Sequence, residues 1–215
     1  MRLSGLAAAA LLVTLVAGPA ASRAPAPAVL SPLALLEAMP LARMVPQLRE
    51  ADLVFRRGDG RWSGYFAGAS GGEGFFSHVG VLVREADGWH VVHTEADERT
   101  GVGGVRSDRL EDFLVGAHGV AVVRPRLSPA QAAEAVRLSA QPQWRSIPFD
   151  SAFRLDDEGR AMYCTEWVQA LVLAATGEDI ARPRSYFGSR AIISVDDLRL
   201  SARVEPVLEH RLAAN

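Results

Sequence analysis

The chain predicts an α+β fold, an antiparallel sheet packed against helices. Two runs rich in β-branched and apolar residues, Val79 to Arg84 and His90 to Glu95, flank Asp87-Gly88, a strong hairpin signal. Further short runs of the same kind stand before and after them, at Asp52 to Arg56 and Gly119 to Arg124. Helical stretches with capping signals complete the pattern.

In chain order, Ser31-Pro32 opens a helix-like stretch to about Ala38, interrupted by Pro40 and Pro46. Asp52 to Arg56 is a short strand closed by Gly58-Asp59-Gly60. Gly64 to Gly74 shows no periodicity and is expected to be a long loop beside the site. After the hairpin, Asp108 to Leu114 predicts a short helix capped by Ser107 or Asp108, and Gly119 to Arg124 a strand stopped by Pro125. Ser128-Pro129 has the N-cap and first-turn residues of a helix running to Ala140, before Pro142. Tyr163 to Ala175 reads as a buried helix, apolar almost all round. Ser194 caps a turn over Asp196-Asp197-Leu198, and Val204 to Leu208 is a last extended piece.

The 215 residues, 49% apolar and 22% charged, suffice for one domain with a real core. A net charge of −2 lacks the basic footprint of a nucleic-acid binder. Every basic residue is arginine, so Schiff-base, pyridoxal-phosphate and Walker-type chemistry, each needing a lysine amine, is excluded. Cys164 is the only cysteine, so no internal disulfide forms. Arg2, the apolar run Leu6 to Ala17 and the small residues that follow read as a secretory signal over residues 1–21, with cleavage as late as residue 26. That run is shorter than the ~20 residues of a membrane span. Residues 22–50 are expected to be a linker and an N-terminal helical segment, and 51–215 the functional domain, secreted or periplasmic.

Three side chains could carry chemistry. Cys164 stands at a helix start, where free backbone N–H groups lower a thiol's pKa and can hold a developing oxyanion. A thiol nucleophile needs an imidazole beside it and a polar group to orient that imidazole. His78 starts one hairpin strand. His93 lies on the other, with Glu95 on the same face and His90 and Thr94 on the opposite one. The hairpin therefore allows a His78–His93 pair. The same three residues could instead offer two nitrogens and one sulfur to zinc, but no Cys-X-X-Cys or His-Glu-X-X-His spacing supports it.

The segments Asp52-Leu53-Val54-Phe55-Arg56, Phe76-Ser77-His78-Val79-Gly80-Val81, Val91-Val92-His93-Thr94-Glu95 and Tyr163-Cys164-Thr165-Glu166, in this order, resemble the YiiX/YaeF-like group of circularly permuted papain-fold hydrolases. These are relatives of NlpC-type cell-wall peptidases and, more distantly, of lecithin:retinol acyltransferases. The resemblance spans about residues 51 to 208 and implies a circularly permuted papain-like fold. It also implies Cys164 as nucleophile, His78 as base, and His93, with Glu95 second, as the third polar group. Tyr163, Ser77 and Glu95 become candidate substrate contacts. Asp150 and Glu166 are expected to be structural hydrogen-bonders, and His118 and His210 bystanders.

The reading is an exported cysteine hydrolase that cleaves amide bonds through a thioester acyl-enzyme. Its expected substrate is a small molecule or peptide, a cell-wall peptide or an N-acyl compound, with no cofactor, no nucleic acid and no stable membrane span after leader removal. The alternatives are a lipid or thioester acyl hydrolase or acyltransferase, and an inactive binding module that keeps the fold.

Overall fold

The computed structural model describes residues 31–181 and 185–213, and these fall in one compact unit. The expected signal segment, residues 1–21, and the start of the expected linker lie outside the described residues.

The chain enters through two short helices, α1 (Ala34–Ala38) and α2 (Leu41–Met44), and a 3₁₀ turn, Val45–Gln47. Then come β1 (Leu53–Arg57), α3 (Arg61–Gly68), β2 (His78–Glu85), β3 (Gly88–Ala96) and β4 (Gly103–Arg109). Next are α4 (Leu110–Leu114), β5 (Gly119–Pro125), α5 (Pro129–Ser139), α6 (Pro142–Arg145) and α7 (Cys164–Thr176). A small hairpin of β6 (Ser185–Phe187) and β7 (Arg190–Ile192), then α8 (Val195–Arg199) and β8 (Val204–Arg211), complete the chain. The main sheet has the order β4-β3-β2-β1-β5-β8, and every neighbouring pair is antiparallel.

The central strands are buried on both faces, which is why they read as apolar runs rather than alternations. Leu53, Phe55, Val79, Val81, Val92, Ala121 and Val123 face Trp167, Val168, Leu171 and Val172 of α7. On the opposite face, Val54, Leu82, Val91, Val120 and Val122 meet Leu35, Met44, Leu110, Phe113 and Leu114. Residues 31–50 thus belong to the domain, covering one face of its sheet, rather than linking to it. Ser128 and Ser194 form capping boxes with Gln131 and Asp197, as their spacing predicts. Gly177, at φ 73°, ends α7 in the left-handed region.

Two expectations are corrected. The stretch from Gly64 is not an open loop: α3 occupies its first half, because Phe66 packs on Phe153 and Tyr163 while Gly64 and Gly68 face open space. The remainder is pinned by Asp196, which accepts hydrogen bonds from Ser70 Oγ and the Gly74 N–H. Asp108 is not a helix cap either. It lies in β4, an edge strand whose polar side chains give no apolar alternation, and α4 begins only at Leu110.

Candidate functional site

The N-terminus of α7 is tied down on both sides of Cys164. The Ile193 N–H donates to Tyr163 Oη at 2.8 Å, and Thr165 Oγ1 donates to the Ile193 carbonyl at 2.6 Å. Cys164 itself is 1% exposed. The backbone N–H groups of Val79 and Thr165, and its own, lie near enough to the sulfur to favour its thiolate. The approach of Val79 follows from the sheet: the β2–β3 pairing runs from Glu85↔Gly88 only as far as Val81↔Val92, which leaves the Val79 N–H beyond that ladder and facing the thiol.

Continued past its last pair, that register would set His78 opposite Glu95, so His78 and His93 are diagonal neighbours. Their rings nevertheless meet, His78 Nε2 lying 2.8 Å from His93 Nδ1 with the planes nearly perpendicular. Both rings pack on Phe113. Gly80 makes room for the pair: a Cβ there would lie 2.9 Å from the Cβ of His93. The other nitrogen of His93, Nε2, is 3.0 Å from Asp108 Oδ2, and Arg106 donates twice to Asp108 Oδ1, at 2.9 and 2.7 Å. Asp108 is the site residue that reading the sequence missed. The available signal was its alternation with Arg106, two polar side chains on one face of an extended segment directly opposite the His93 strand.

Cys164 and His78 line one cavity of about 290 Å³, together with Arg56, Phe66, Ser77, Glu95 and Phe149. The helix that carries the thiol covers one face of the sheet, and the two histidines project from the other, against Phe113. Cys164 and His78 meet in the cavity at the start of β2, while His93 is fully buried outside its lining and reaches it only through His78. Ser77 is placed there through its hydroxyl, which accepts from the Gly58 N–H and donates to the Arg56 carbonyl. Glu95 does not touch either imidazole in a hydrogen bond among the described residues. It pairs with Arg56, whose guanidinium lies 4.6 Å from the Phe113 ring centroid, and with Arg106 at 3.5 Å. Tyr163 is 1% exposed, in an aromatic cluster with Phe66 and Phe153, and its ring does not line the cavity. His118 pairs with Asp59 at the cavity wall, and His210 stands in β8 opposite Val120.

Burial dominates the protonation states. It pushes the Cys164 thiol up to about 12, against the pull of the three nearby N–H groups. The helix terminus and nearby amides pull the thiol down, as its place in the sequence implies, but desolvation is the larger influence. His78 lies well below the ordinary histidine value, through burial first and then the positive charges of Arg56 and Arg106. His93 is lowered too, burial again outweighing the Asp108 carboxylate. Asp108 is brought down to about 2, chiefly by its hydrogen bond to His93 and then by Arg106. These influences favour a neutral thiol and a neutral His78 in the cavity, and a neutral His93 beside an ionised Asp108 outside it.

Two nearby acids behave as structural groups. Asp150 accepts hydrogen bonds from the backbone N–H groups of Ala152 and Arg154. Glu166 stands in the first turn of α7 near the Tyr163 N–H, and its buried Oε2 has no partner among the described residues. Burial and the charges of Asp157 and Asp150 raise it to about 8.

No family model and no curated protein matches this sequence. Among solved structures, the chain is similar to the metalloprotein YiiX of Escherichia coli O157:H7, with 17% identity and a TM-score of 0.63 over 77% of this chain and 99% of that one. The chain therefore has the YiiX-like, α+β papain-like fold that its local motifs imply.

Proposed function

We propose that this protein is a cysteine hydrolase of amide bonds, with Cys164 as nucleophile, His78 as general base and His93 as the group that orients His78. The observation that carries it is one cavity lined by a helix-terminal thiol and by His78, which is hydrogen-bonded to the buried His93. Because His78 Nε2 is engaged by His93, its Nδ1 is the nitrogen left to serve the thiol. His78 takes the thiol proton as sulfur adds to the substrate carbonyl carbon. In this reading the Cys164 N–H, at the open end of α7, receives the oxyanion as it forms. As the C–N bond breaks, His78 passes the proton to the departing amine, leaving a thioester. Water then adds with its proton taken by His78, and the acyl group leaves as a carboxylic acid while the thiol is restored.

The leader-like segment supports an exported protein acting on cell-wall peptides or N-acyl compounds. No helix among the described residues is long and apolar enough to cross a membrane. A second reading, transfer or hydrolysis of acyl esters and thioesters, is favoured by the Phe66, Phe149 and Val115 wall of the cavity, which suits an apolar acyl chain.

Although YiiX is a metalloprotein, the donors here do not fit an ion at this site. His93, Glu95 and Asp108 lie close enough to share one. However, both nitrogens of His93 are engaged, and Arg56 and Arg106 already neutralise the two carboxylates.

Incubation with cell-wall fragments and a panel of N-acyl amides, followed by mass spectrometry, tests the proposal. Product release by the native protein and none by Cys164→Ala is expected. Release that survives Cys164→Ala would overturn it.

A further inference from the structure

The site contains a polar contact that the three-residue scheme does not use, the bond from His93 to Asp108. Its consequence follows from proton counting. Asp108 is ionised and can only accept, so His93 must donate from Nε2. A neutral His93 then carries no proton on Nδ1, which must accept. The 2.8 Å contact with His78 Nε2 therefore has His78 as the donor. A neutral His78 protonated on Nε2 presents its lone pair at Nδ1, the form in which it can take a proton from Cys164.

We propose that Asp108 is a positioning residue for the hydrolase, fixing the tautomers of His93 and His78 in series so that the lone pair of His78 is delivered to the thiol. The proposal rests on the hydrolase reading above and extends it from three residues to four. Arg106 is the clamp. Its two bonds hold Asp108 Oδ1 and leave Oδ2 to His93, and its place opposite His93 in the β3–β4 pairing puts Arg106, Asp108 and His93 on one face of the sheet. The proton exchanged with substrate stays between Cys164, His78 and the departing or attacking group. Asp108 remains ionised throughout, and its negative charge, relayed by His93, favours the imidazolium formed at His78.

The chain with ¹⁵N-labelled histidine, examined by long-range ¹⁵N–¹H NMR at neutral pH, tests this without a substrate. His93 is expected to be protonated on Nε2 and bare on Nδ1, and His78 likewise. A proton on His93 Nδ1 in the native protein would overturn the proposal. Asp108→Asn can donate where aspartate accepts and should reverse both tautomers. Acylation of Cys164 by a p-nitrophenyl ester should then fall by roughly a hundredfold or more, with partial recovery in Asp108→Glu. If Asp108→Asn folds and keeps native tautomers and acylation rate while His78→Ala is inactive, the role of Asp108 is rejected and the hydrolase stands. If acylation is indifferent to His78→Ala as well, the hydrolase reading itself fails.

Discussion

At Cys164 burial opposes what the helix terminus favours, and the balance fixes how the site must work. With burial raising the thiol to about 12 and lowering His78 well below 6.5, both groups are held neutral near neutral pH. In the proposed hydrolase, proton transfer then accompanies attack rather than preceding it. The sign for His78 is direct: a lowered pKa keeps it unprotonated, and so competent as a base, as pH falls through 6.5. The acylation rate should therefore stay flat from pH 6 to 9. A steep loss centred at 6.5 would contradict this. Glu166 gives a stability prediction. Its folded pKa of about 8 exceeds the ordinary 4.5, so the folded state holds a proton that the unfolded state releases. The stability this confers is fully present below 4.5 and lost as pH rises through 8, on the order of a few kcal/mol. Glu166→Gln should match the native melting temperature near pH 4 and exceed it increasingly toward pH 9. Thermal denaturation across that range is the check. Cys164, His78 and His93 stood out in the sequence because each lies within a recognisable local motif, and the structure sets His78 against His93 and beside Cys164 on one cavity. Their protonation states were not, since desolvation is a property of the packed cavity.

The hairpin of β2 and β3 shows what a local signal can determine. Asp87-Gly88 places the turn, and the alternation puts His93 and Glu95 on one face, as the structure has them. The end of the pairing at Val81↔Val92 has no local signature, although it leaves the Val79 N–H facing the thiol. Gly80 beside this opening should be intolerant of a side chain. Gly80→Ala is expected to displace His93, destabilise the fold by ~1–3 kcal/mol as an overpacked site, and reduce acylation more than stability alone accounts for. Chemical denaturation and acylation kinetics on one preparation separate the two effects. Strand β4 escaped the sequence reading because Gly104, Arg106 and Asp108 carry no apolar stripe. Helix α3 escaped it because Gly64 and Gly68 disguise a segment held by Phe66. Elsewhere, β1 is joined to β5 through Asp52, 1% exposed and bonded twice by Arg124. Arg124→Met would strand that buried carboxylate. A loss of about 3 kcal/mol is expected by urea denaturation, whereas a neutral result would show that Asp52 is neutralised by protonation.

For the molecule as a whole, the antiparallel sheet with helices on it was readable from strand and cap signals, and the YiiX-like fold agrees. The cavity was not readable. Arg56, Phe66, His78, Glu95, Phe149 and Cys164 come from six separate stretches that only the folded sheet brings together. Residues 31–50 also proved integral. Leu35, 1% exposed, packs in the cluster that contains Phe113, against which both histidines rest. Leu35→Ala should cost ~2–5 kcal/mol and lower the melting temperature without altering the pH profile of acylation.

Whether His78 activates Cys164 is decided by stopped-flow acylation with a p-nitrophenyl ester and intact-mass analysis. A burst of one nitrophenolate per chain and an acyl adduct on Cys164 are expected. The burst rate should fall by roughly a hundredfold or more in folded His78→Ala. Equal burst rates in the native protein and His78→Ala, or an adduct on a residue other than Cys164, would contradict that activation.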